Sequence, residues 1–166
     1  SRPELGSSLW ETILEAGRSE NIRPGSPNII DRVEAGLLSY GNEMTVENTP
    51  LECNMDKFLD INKEADYIGK KVLQRQIRYG IKRRIRGVIY KGPKLPTISR
   101  PLQVFDIDKR TIVGSLTSGA FSPHFKSNIG VGMVKYGYWD NNKKILVNIA
   151  DQEFREGLIK DLPLIQ

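Results

Sequence analysis

The sequence predicts an α+β chain: helical segments first, then a small antiparallel β-barrel. Three observations predict it. Apolar residues before residue 83 recur at helical spacing. After residue 83 they fall into six short strand-like runs. Turn residues separate those runs at fairly regular intervals, as in small all-β barrels and sandwiches.

Taken in order, Leu5, Leu9, Trp10, Ile13 and Leu14 lie at helical spacing, and Gly17 suits a C-cap. Pro24, Gly25 and Ser26 make a loop. Ser26 as N-cap with Pro27 at the first helical position predicts a helix from Pro27 to about Leu38. Its apolar stripe is Ile29, Ile30, Val33 and Leu37, and Gly36 weakens it or marks its end. Tyr40-Gly41-Asn42 is a turn, and Glu43 to Glu52 reads as irregular. Asp66 is the expected cap of a further helix, with Ile68, Val72, Leu73 and Ile77 on one face and Gly80 past its end. The strands expected are Arg84–Tyr90, Leu102–Asp106, Ile112–Thr117, Ile129–Tyr136, Ile145–Ile149 and Phe154–Ile159. Pro93, Pro96, Pro101 and Pro123 fall between them.

A chain of 166 residues can bury a core without covalent staples. One cysteine, Cys53, excludes an internal disulfide; with a single histidine, His124, it excludes a zinc knuckle, a redox CxxC pair and a His-rich metal centre. No apolar run approaches the ~20 residues of a membrane span. Dinucleotide, Walker A and GxSxG fingerprints are absent. Cys53 reads as a buried, inert thiol, and His124 as a loop histidine.

The net charge of +5 is local. Between Gly69 and Arg86 stand eight basic residues and no acidic one, while acidic residues outnumber basic ones elsewhere. Such a stripe suits nucleic acid, a small polyanion or a solvated helix face. No aromatic ladder accompanies it, so nucleic acid is not favoured. The chain lacks an initiator Met and is amphipathic from Leu5, which predicts a start inside a longer protein.

Four stretches, in order, carry a resemblance. They are Asp31-Arg32-Val33-Glu34-Ala35-Gly36-Leu37 with Tyr40-Gly41-Asn42 and Thr49-Pro50-Leu51-Glu52; Asp66-Tyr67-Ile68-Gly69-Lys70; Val113-Gly114 with Thr117-Ser118-Gly119-Ala120-Phe121-Ser122-Pro123 and Asn128-Ile129-Gly130; and Asp161-Leu162-Pro163-Leu164-Ile165. Together they resemble the later half of the glycine-cleavage T-protein (aminomethyltransferase) family. The Pro24–Asn28 lead-in and the Gly36–Asn42 run look most like its dimethylsulfoniopropionate demethylase branch. Asn28 stands where glycine-cleavage T-proteins usually carry an arginine associated with the folate site.

The resemblance implies a three-part division. Residues 1–52 would be the helical tail of a split folate-binding domain, 53–83 a linker with the basic helix, and 84–166 the barrel. It implies tetrahydrofolate as the one-carbon acceptor, a small-molecule methyl donor, the N-terminal half of the same parent chain as partner, and a cytoplasmic setting. It leaves homo-oligomerisation open. The activating acid of the family lies in the other half, so no catalytic residue is assigned. Tyr40, Arg32, Glu34 and Asn28 are the candidate substrate- and folate-binding residues, with Tyr40 an aromatic wall or hydrogen-bond donor. The alternatives are the aminomethyltransferase reaction itself, the C-terminal part of a flavin-linked dimethylglycine or sarcosine dehydrogenase, and a stand-alone binding module without catalysis. Severed from the rest of its domain, residues 1–52 should be weakly ordered, with Trp10, Ile29, Ile30 and Leu37 short of core, beside a stable barrel.

Overall fold

The computed structural model describes residues 2–25 and 28–165. The expected Ser26–Pro27 cap pair lies outside the described residues. A short 3-10 turn, Pro3–Leu5, runs into α1 (Gly6–Ala16), where Gly17 closes the helix by donating to the Ile13 carbonyl. The predicted apolar stripe forms but covers nothing. No α1 residue is buried, and Trp10 is 52% exposed.

Helix α2 spans Ile29–Glu34, shorter than the Pro27–Leu38 expected. Asn28 is its N-cap: the side-chain Oδ1 accepts the Asp31 N–H at 2.9 Å. At the other end Gly36 adopts φ +67°. Its N–H donates to the Val33 carbonyl, and the Leu37 N–H donates to Arg32. This is the paired bonding of a Schellman cap, which ends the helix before Leu37 can join the stripe.

Helix α3 covers Lys70–Tyr79. Asp66 does not cap it. The Asp66 carboxylate accepts the N–H of Tyr67, and Gly69 at φ +89° holds the cap position without a side-chain bond. Of the expected apolar face only Leu73 is buried; Ile68 lies outside the helix and is fully exposed, and Val72 and Ile77 are largely exposed. Four of the ten residues are cationic, so the helix gains little from burying its flanks.

The barrel strands are β1 (Arg83–Tyr90), β2 (Leu102–Phe105), β3 (Ile112–Ser122), β4 (Ser127–Lys135), β5 (Lys144–Ala150) and β6 (Glu153–Lys160). They close in the order β1-β4-β3-β2-β5-β6, every neighbouring pair antiparallel. All six expected strands are present. Strand β3 runs five residues beyond its expected end at Thr117, because the chain bulges there instead of turning. Leu116 pairs with Gly132 and Ser118 with Val131, leaving Thr117 unpaired. One inserted residue switches the outward-facing set. Leu116 therefore points into the barrel core, and Ser118, Ala120 and Ser122 pair with outward-facing partners on β4.

Two apolar clusters result. The inner one fills the barrel and includes Val88, Tyr90, Val104, Leu116, Val134 and Ile159. The outer one joins Val33 of α2 and Cys53 to Ile85, Ile129 and Val131, with Leu162 and Leu164 of the C-terminal segment packed against it. Helix α2, the segment around Cys53 and the chain end thus lie on one wall of the barrel, over β1, β4 and β3. Gly132 permits the close approach of β3: a Cβ there would collide with the Ser115 carbonyl oxygen.

Candidate functional site

The wall covered by α2 carries most of the sequence-predicted residues. Consecutive residues on α2 divide their work. Val33, fully buried, faces the outer core, while Arg32 and Glu34 flank it and reach in different directions.

Arg32 is a four-way tie. Its Nη1 donates to Glu43 Oε2 at 2.9 Å and to the Leu37 carbonyl at 2.9 Å; its Nη2 donates to Ser118 Oγ at 2.6 Å and to Glu43 Oε1 at 3.4 Å. The Glu43 side chain has no exposed surface, and it also accepts the Ser39 N–H at 2.6 Å. The turn from Ser39 to Glu43, which carries Tyr40, is therefore fastened to α2 and to β3 by one arginine. Gly41 at φ +90° makes the turn, and its N–H reaches the Met44 carbonyl.

Glu34 is buried and accepts a hydrogen bond from the Ser122 hydroxyl at 2.5 Å. Ser122 Oγ in turn accepts the Phe125 N–H at 3.0 Å. The Glu34 backbone carbonyl receives the N–H groups of Leu164 and Ile165, so the C-terminal segment is pinned at the same residue. Arg32 and Glu34 do not orient each other, in keeping with their separation of two residues on a helix. Asn28 spends its side chain on Asp31, as cap acceptor and as donor to the carboxylate at 2.7 Å.

Tyr40 is 68% exposed on its fastened turn, and Leu37 is also largely exposed. Tyr40 presents its ring to its surroundings on a turn held by Glu43 and Arg32. His124 sits in the β3–β4 turn, edge-on to Phe125. Cys53 is buried in the outer core, and burial, then the nearby Glu52, pushes its thiol pKa up. Among the described residues no group of histidine, cysteine or carboxylate side chains could hold a metal ion.

The sequence reading missed Glu43, Ser118 and Ser122 as site residues. The two serines stand four residues apart beyond the expected end of the strand, which places them on one face once β3 continues past the bulge. Glu43 carried no such signal, because its partner lies eleven residues away on another element.

The two parts of the chain each match a known protein domain. The GCVT N-terminal domain matches residues 1–63, and the glycine cleavage T-protein C-terminal barrel domain matches residues 83–162. The chain belongs to the glycine-cleavage T-protein family. A dimethylsulfoniopropionate demethylase, DmdA, of Ruegeria pomeroyi is 43% identical over 82% of the chain and 36% of its own length. An aminomethyltransferase of Geobacillus sp. is 32% identical over 95% of the chain and 43% of its own length, and one of Caldanaerobacter subterraneus is 36% identical over 94% and 41%. The chain thus spans about two fifths of the length of these relatives. The crystal structure of glycine cleavage system aminomethyltransferase T from Bartonella henselae shares the fold, with a TM-score of 0.70 over 81% of this chain and 37% of that one at 23% identity.

Proposed function

We propose that this T-protein family chain is the C-terminal part of a longer, tetrahydrofolate-dependent methyltransferase that demethylates dimethylsulfoniopropionate. In that reaction the S–CH3 bond breaks and the sulfur keeps the electron pair. The methyl group forms a bond to N5 of tetrahydrofolate, whose proton passes to solvent. The products are a thioether, which keeps the propionate carboxylate, and 5-methyltetrahydrofolate. Such a transfer depends on alignment and exclusion of water more than on acid–base chemistry.

The observation that carries this reading is the 43% identity to the demethylase, against 32% and 36% for the two aminomethyltransferases. The capping role of Asn28 supports it, since that side chain is committed to Asp31 and does not act as an arginine would. In this reading Tyr40 offers its ring to the sulfonium, the kind of cation that aromatic faces hold. Arg32, Glu34 and Asn28 keep the Tyr40 turn and α2 in place beside the folate. Residues 1–52 belong to the folate-binding domain, 53–83 form the linker and 84–166 the barrel, all within a cytoplasmic enzyme. No helix among the described residues is long and apolar enough to cross a membrane.

The test is a donor comparison on the longer protein that contains this chain. With tetrahydrofolate and dimethylsulfoniopropionate it should form 5-methyltetrahydrofolate. Formation of methylene-tetrahydrofolate from an aminomethylated lipoyl carrier, and no reaction with the sulfonium, would replace this reading with the aminomethyltransferase one.

A further inference from the structure

We propose that α3 and the cleft beyond its C-terminal end form a track for a short linear polyanion, the oligo-γ-glutamyl tail of a folate. The identity of the polyanion rests on the folate reading above; the track itself rests on geometry and charge.

Lys71, Arg75 and Arg78 stand at i, i+4 and i+7 on α3, so they form one stripe with rises of ~6 and ~4.5 Å between successive charges. With Tyr79 they line a groove of about 490 Å³. Arg75 and Tyr79 also line a second cavity of about 820 Å³, where Lys82, Arg83 and Tyr136 continue the basic wall. The two cavities therefore share residues and make one path along the helix and onto the start of β1. The acidic group in this path is Glu52, which is already bound to Arg83 at 2.9 Å.

Four cations of this path are left over from the fold. Among the described residues, Lys71, Arg75, Arg78 and Lys82 enter no ion pair, whereas Arg32, Arg83, Arg84 and Arg86 all do. Like charges one helical turn apart repel and weaken a helix. Such a row is stabilised by a ligand that brings one negative charge per step. A γ-linked glutamyl chain does so, with one free carboxylate per residue on a flexible backbone. Nucleic acid fits less well: Tyr79 and Tyr136 are the aromatic residues of the path, and they do not make a platform for successive bases.

The first experiment titrates fluorescently labelled penta-γ-glutamate into this chain. Saturable binding that weakens with salt is expected, as is a loss of about tenfold in the triple variant K71E/R75E/R78E. These side chains are exposed helix positions, so the variant should keep its fold, which circular dichroism checks. The charge-matched variant K94E/K109E/K144E, on the barrel, should bind as the parent does. Equal loss in both variants would reduce the effect to net charge and overturn the proposal. Tighter binding of a single-stranded oligonucleotide of equal charge would overturn it in favour of nucleic acid.

A second experiment separates this inference from the enzyme reading. The longer protein is assayed with mono- and pentaglutamyl tetrahydrofolate. A lower KM for the pentaglutamate, lost in K71E/R75E/R78E, supports the track as a folate-tail site. Turnover of both with the same KM overturns the track and leaves the methyltransferase reading intact. Absence of turnover with either, while free penta-γ-glutamate still binds, overturns the enzyme reading and leaves the polyanion track standing.

Discussion

The Ser122 hydroxyl donates to the buried Glu34 carboxyl group and joins the end of β3 to α2 across 88 positions of sequence. The same oxygen accepts the Phe125 N–H and so closes the β3–β4 turn. One hydroxyl thus fixes both the helix and the turn below it. Ser122→Ala should cost about 1–3 kcal/mol, because it leaves a buried acceptor and a backbone donor unpaired. Glu34→Gln should cost less, since the amide oxygen can still accept. Urea denaturation of both variants checks the order, and a cost for the glutamine variant equal to that of the alanine variant would contradict it.

Arg32 and Glu43 should behave as a unit. Arg32 is 21% exposed at its side chain and Glu43 is wholly enclosed, so removing the arginine leaves a buried carboxyl group without its cation. Arg32→Met is expected to lose on the order of 3 kcal/mol. Glu43→Gln keeps acceptors for Arg32 and for the Ser39 N–H and should lose about 1 kcal/mol. In a double-mutant cycle the two changes should fall well short of additivity. Additive losses would show that Arg32 acts through Ser118 and Leu37 alone.

The sequence made the barrel legible because its signals are local. Each strand run and each proline-bearing turn sits within a window of a few residues, and all six strands formed. The errors lie where a distant partner decides the outcome. The expected end of β3 at Thr117 falls short because a bulge, set by pairing with β4, has no local mark. The expected α2 runs too long because the cap at Gly36 competes with an apolar stripe that reaches Leu37. Asn28, Arg32 and Glu34 all belong to α2 and its cap, and each is tied to a different partner. Their partners Glu43, Ser118 and Ser122 were hidden because ion pairs and hydrogen bonds between elements leave no periodicity.

Tyr90 gives the barrel an alkaline limit. It is buried in the inner core, and burial pushes its phenol pKa from 10.0 up to about 12. The unfolded chain releases that proton near pH 10, while the folded chain holds it to about pH 12. The stabilisation is fully present below pH 10 and disappears as pH rises through this window, a loss of roughly 2–3 kcal/mol. Denaturation measured from pH 8 to 12 should show the decline, and Tyr90→Phe should flatten it. A decline of the same depth in the phenylalanine variant would assign it to other groups.

Cys53 reports on the outer core. Its thiol is buried between α2 and the barrel, and its pKa is raised. A disulfide reagent near neutral pH should modify it slowly in the native chain and rapidly in denaturant. Val33→Ala, which opens the same cluster, should accelerate the native reaction. Rapid modification of the native chain would mean that α2 leaves the barrel wall freely.

The expectation that residues 1–52 are weakly ordered needs a new boundary. Val33, Leu51 and Cys53 are buried, and α2 shares a core with β1 and β4, so the segment from α2 onward belongs with the barrel. Ile29 joins that core at its edge, whereas Trp10 and the rest of α1 bury nothing. Susceptibility to proteolysis follows local stability, which is lowest where few apolar contacts are made. Limited digestion with a protease of broad specificity should therefore cut first between Gly17 and Gly25, the segment that joins α1 to α2, and leave a resistant product that keeps α2 and the barrel. Early cuts between Glu43 and Cys53 would show that the Arg32–Glu43 tie does not hold the Tyr40 turn. A product beginning near Arg84 would detach α2 from the barrel, and the shared outer core would then have to be abandoned.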